Sequence, residues 1–100
     1  MGRFSRMLGV LVALIAGPAT ADTMERACMK SDRANATRAL CGCIQDVADY
    51  VLSTADQRRA AAFFADPHKA QQVRQSNARR DEVFWQKYRK FGEYAGTYCG

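Results

Sequence analysis

Past its first twenty residues the chain carries apolar positions three and four apart, the spacing that aligns side chains along one face of a helix. No run alternates apolar and polar residues in the period of two expected of a half-buried strand. Ala, Arg and Gln, all good helix formers, are plentiful. The pattern predicts an all-α fold, a small bundle of four to five short helices. A first helix is expected over about Asp22 to Lys30. Ser31, Asp32 and Asn35 then supply turn and cap chemistry, because their side-chain oxygens accept from free amides. A second helix is expected over about Ala34 to Leu52, with Leu40, Cys43 or Ile44, Val47 and Val51 along its apolar face.

Ser53 with Asp56, and Thr54 with Gln57, have the form of a capping box and place the start of a third helix there. Its stretch DQRRAAAFF is expected to bury Ala60, Phe63 and Phe64 and to expose Arg58 and Arg59. Asp66-Pro67 marks the next start, with aspartate suited to the cap and proline to the first helical position. A polar fourth helix follows over about Pro67 to Gln75, and a last one over about Arg80 to Tyr98. Asp81 and Glu82 fall in its first turn, where negative charge favours the helix dipole. Phe84, Tyr88, Phe91, Ala95 and Tyr98 form its apolar stripe, flanked by Trp85 and Tyr94, and this row is expected to be core.

The opening segment changes the picture of size and location. Arg3 and Arg6 precede the apolar run Met7 to Ala16, Gly17-Pro18 breaks it, and Ala19-Thr20-Ala21 places small residues before Asp22. That is the layout of a secretory signal peptide, cleaved after residue 21. A run of about ten apolar residues is too short to span a bilayer. The remaining residues 22–100 form a single helical domain, small enough that its core needs covalent help. Without Arg3 and Arg6 the formal charge falls from +5 to +3. Export makes cellular nucleic acid an unexpected partner, while a protein or an anionic envelope component fits a periplasmic or secreted monomer.

Cys28, Cys41, Cys43 and Cys99 are the only cysteines. An even number in an oxidising compartment predicts two disulfides. Cys41 and Cys43 lie two positions apart in a helix, so their side chains point about 200° apart and cannot reach each other. Each is expected to take a different partner. Cys43 sits beside Ile44 and Val47 on the apolar face, which favours Cys43–Cys99 and leaves Cys28–Cys41; the reverse assignment stays open. The rival readings of Cys41-Gly42-Cys43 are a copper- or zinc-binding thiolate pair, with Met24 and Met29 nearby, and a redox-active pair. The lone His68 and the lack of a strand context weigh against both.

Candidate catalytic chemistry is sparse. Asp46 and Asp49 sit on the polar side of the second helix, His68 has no nucleophile beside it, and no phosphate loop, HExxH or GxSxG occurs. No catalytic, cofactor or metal residues are assigned, and the chain is expected not to be an enzyme. Lys87, Arg89 and Lys90 interleave with Trp85, Tyr88 and Phe91, which also admits a membrane-surface helix; the simpler reading buries the rings and solvates the cations.

ALCGCIQDVAD, STADQRRAAAFFADP and DEVFWQKYRKFGEYAGTYCG together resemble small exported proteins of Rhodobacter- and Roseobacter-type alphaproteobacteria, usually labelled uncharacterised. Some of these carry the automatic label "arginine transporter". The resemblance covers nearly all of residues 22–100 and implies an envelope location; it carries over no catalytic residue. A transport role is expected at most as a periplasmic accessory. The leading expectation is a non-enzymatic binding or structural role in the envelope, with no cofactor.

Overall fold

Three short polar side chains decide where three helices begin. Thr37 accepts from the Leu40 amide, Ser53 from the Asp56 amide and Asp66 Oδ1 from the His68 amide, each at 3.1 Å. Each satisfies a first-turn N–H that has no partner within the helix itself. The computed structural model describes residues 22–100, and the export segment expected over residues 1–21 lies outside them. Among the described residues the order is α1 Thr23–Lys30, α2 Arg38–Val51, α3 Thr54–Ala65, α4 His68–Arg74 and α5 Arg79–Cys99, with no strand. The fold is a small all-α bundle held by the disulfides Cys28–Cys41 and Cys43–Cys99.

The start of α2 differs from expectation. Ala34 and Asn35 form a turn closed by the Ala36 amide donating to the Arg33 carbonyl at 3.2 Å, and the Thr37 amide then donates to the Asn35 carbonyl at 2.8 Å. Thr37 therefore takes the cap, and the helix begins at Arg38. The face that α2 buries also differs. Cys41, Gln45, Val47 and Ala48 are buried, whereas Leu40, Cys43, Ile44 and Val51 are half-buried. The reason is that α2 packs against α1 on one side and α5 on the other, so two faces share the burial.

The core comprises Met24, Val47, Ala48, Leu52, Ala60, Phe63, Phe84 and Phe91. Full burial of each phenylalanine contributes about 2 kcal/mol relative to exposure. Phe63 of α3 meets α5 edge-on, its ring centroid 5.1 Å from Tyr88 and 6.0 Å from Phe84, geometry that suits the ring quadrupoles. Two residues correct the sequence reading here. Arg59 is half-buried, with its guanidinium carbon 4.5 Å from the Phe84 ring centroid and an ion pair to Asp81 at the start of α5. Tyr98, expected in the core, is 72% exposed.

One buried polar cluster ties three helices. Gln45 Oε1 accepts from the amides of Met24 and Glu25, at 2.7 and 2.9 Å. A side chain of α2 thus does for α1 what a capping residue normally does, since Asp22 makes no capping hydrogen bond. Gln45 Nε2 donates to Asp49 Oδ1 at 2.8 Å and to Gln57 Oε1 at 2.9 Å. Gln57 Nε2 in turn donates to Asp49 Oδ1 and to the Leu52 carbonyl. Among the described residues no buried side-chain nitrogen or oxygen lacks a partner. The cluster therefore avoids the cost of about 1–3 kcal/mol that each unmade buried bond would carry.

Candidate functional site

The four cysteines singled out by the sequence come together as two bridges at one end of α2. Cys28 and Cys41 are joined across 13 residues and are 2% and 0% exposed. Cys43 and Cys99 are joined across 56 residues and are both half-buried. All four cysteines are bridged, so none is present as a thiolate in this state. His68 lies exposed at the start of α4. Among the described residues no three His, Cys, Asp or Glu side chains are grouped to hold a metal, and no helix is long and apolar enough to cross a membrane.

Beside the Cys43–Cys99 bridge lies a groove of about 480 Å³, lined by Cys43, Asp46, Val47, Tyr50, Tyr94 and Tyr98. Its construction follows from helical spacing. Cys43, Asp46, Val47 and Tyr50 fall at successive steps of three, one and three, which places them on one face of α2. Tyr94 and Tyr98 are one turn apart on α5, with ring centroids 6.2 Å apart and edge to face. The bridge holds the two walls together, with alpha carbons 5.7 Å apart. Cys43 Sγ lies 3.6 Å from the Tyr98 carbonyl oxygen; a disulfide sulfur carries no proton, so this is a packing contact.

The groove is unusual in what it leaves uncovered. Tyr50 is 84% exposed and Tyr98 72%, although both are large aromatic side chains. Neither adds to the core, and aromatic rings standing clear of a fold are a common feature of contact surfaces. Asp46 is exposed, and no ion pair among the described residues engages its carboxylate. No basic residue lines the groove. The walls thus offer π faces, one carboxylate and an apolar floor at Val47.

The sequence did not point to this place. Tyr50 falls outside the predicted apolar face of α2, Tyr98 reads as core, and Asp46 reads as an ordinary solvated acid. The signal available was the pair of one-turn spacings, Asp46 with Tyr50 and Tyr94 with Tyr98, on two helices joined by a bridge. A second depression of the same volume lies between α1 and α3, lined by residues that include Arg26, Lys30, Asp32 and Phe64. Its charges are mixed and partly engaged, Arg26 pairing with Asp22.

Comparison with known proteins adds no relative. No family model matches the chain, and no curated protein or solved structure matches it either.

Proposed function

We propose that this chain is a non-enzymatic binding protein of the bacterial envelope, periplasmic or secreted, which engages its partner through the tyrosine groove. The observation that carries the reading is the exposure of Tyr50 and Tyr98 at a rigid, disulfide-bound junction of two helices. A helix pair fixed by a bridge presents its side chains without further ordering, so less entropy is lost on binding. The extracytoplasmic location is supported by two intramolecular bridges that use every cysteine, together with the signal-like opening segment.

The reading is tested with a photo-crosslinking amino acid placed at position 50, and at exposed Arg89 as a control, in cells of the native host. Irradiation is expected to give a discrete adduct from position 50 that disappears when Tyr98→Ala is added. No adduct from position 50, or the same adduct from position 89, overturns it.

A further inference from the structure

Resting on that reading of the groove, we propose that its occupant is a small soluble cation bearing a methylated ammonium group. The argument runs from the donors and acceptors that the groove provides. Three tyrosine rings line a space of about 480 Å³ with a single carboxylate, Asp46, and no basic side chain among the lining residues. Aromatic faces attract a cation through the ring quadrupole, and the attraction is strongest where the cation is weakly hydrated. An anionic ligand would meet Asp46 with nothing to balance it.

The kind of cation follows from hydrogen-bond supply. A guanidinium brings five N–H donors and a primary ammonium three. Asp46 and the tyrosine hydroxyls are the polar side-chain groups of the lining; its remaining side chains, Val47 and the bridged Cys43, offer no acceptor of consequence. In an open groove a donor-rich cation keeps its water and gains less from the ring faces than a weakly hydrated one. A quaternary ammonium has no N–H and presents only methyl groups, which suit ring faces and the valine floor. Asp46 then supplies its counter-charge.

The occupant is a free solute and not a lipid headgroup. Asp46 and Asp49 on α2 and Glu93 on α5 are all exposed, and Asp46 is in the groove wall itself. Asp46 is the one charged side chain of the lining, and a carboxylate in the contact face is disfavoured at an anionic bilayer surface, although exposed Lys90 lies one turn before Tyr94. Tyr50 and Tyr98, with phenolic oxygens at their tips, are also not an apolar wedge for insertion.

The test is an NMR titration of the oxidised protein with choline chloride, with sodium chloride at matched ionic strength as the blank. Saturable shifts confined to α2 and the end of α5 are expected, with a dissociation constant of about millimolar for an open site of this kind. 3,3-Dimethyl-1-butanol, the neutral isostere, is expected to bind at least about fivefold more weakly. Tyr50→Ala and Asp46→Asn, both at exposed positions, are each expected to weaken choline about two- to fivefold. Arginine hydrochloride binding as tightly as choline, equal binding of the isostere, or unsaturable shifts overturns the proposal. So does binding to phosphatidylcholine vesicles without binding to free choline. If choline fails while the adduct from position 50 persists, the groove remains a binding surface and only this ligand class falls.

Discussion

At the scale of single residues the most consequential side chain is Gln45. It interrupts an apolar helix face, yet its amide closes the first turn of α1 and orients Gln57. Gln45→Ala strands the Met24 amide in the core and is expected to cost about 3 kcal/mol, read as a lower urea midpoint for the oxidised protein. Gly42 behaves oppositely. Its place between two bridged cysteines suggests that room is needed, but a β-carbon there would meet nothing within 4 Å. Gly42→Ala is therefore expected to stabilise the protein by about 0.5–1 kcal/mol, through the smaller entropy of the unfolded chain and better helix propensity, with both bridges intact by mass. Asp81 gives a pH dependence. The Ser76 hydroxyl and then the Arg59 guanidinium hold its carboxyl below the usual 3.8. A depressed acid stabilises the fold above its unfolded-state value and loses that contribution as pH falls toward the folded one. Thermal melts of the parent are expected to fall more steeply below about pH 4 than those of Asp81→Asn.

At the scale of elements, what could be read from the sequence was whatever local chemistry decides. The Ser53 and Asp66 starts are local, because an oxygen and an amide two or three residues apart suffice. The five-helix order is likewise carried by turns and periodicity. What stayed hidden depends on neighbours far along the chain. The buried set Cys41, Gln45 and Ala48 lies on α2 where α1 packs, and no periodicity within α2 announces α1. Gln45 in particular reads as surface until the free amides of α1 are placed against it. Tyr98 shows the converse: its spacing fits the stripe, but while Ala95 and Cys99 pack against the core, Tyr98 itself faces outward. The groove is hidden from the sequence for the same reason, being a junction of two helix faces. The bridges differ in access as well, one buried and one half-buried. Limiting phosphine reductant followed by alkylation and peptide mass analysis is expected to label Cys43 and Cys99 well before Cys28 and Cys41.

At the scale of the whole molecule the two bridges are the margin of stability. In the chain-entropy model, loops of 13 and 56 residues are worth about 3 and 4 kcal/mol respectively. A domain of this size has only several kcal/mol in total. Replacing Cys43 and Cys99 together by serine is expected to lower stability by about 4 kcal/mol, and replacing Cys28 and Cys41 by about 3, compared by urea unfolding. The larger loss also loosens the end of α5, so the first of these variants is expected to lose the tyrosine groove along with its stability.

The order of the cysteines along the chain sets a timetable for oxidation. Synthesis runs from the amino end, so Cys28, Cys41 and Cys43 are present together while the partner of the third is still 56 residues away. During that interval three thiols compete for one bond, and joining Cys28 to Cys43 would strand Cys41. Closing Cys28–Cys41 early removes the competition; loop length hardly separates 13 from 15 residues, but the native pairing sets Gln45 to cap α1 beside it. Cys43 is left as a single waiting thiol, and a chain that stops before Cys99 keeps it. Only a molecule translated through Cys99 can bridge all four cysteines and leave no free thiol.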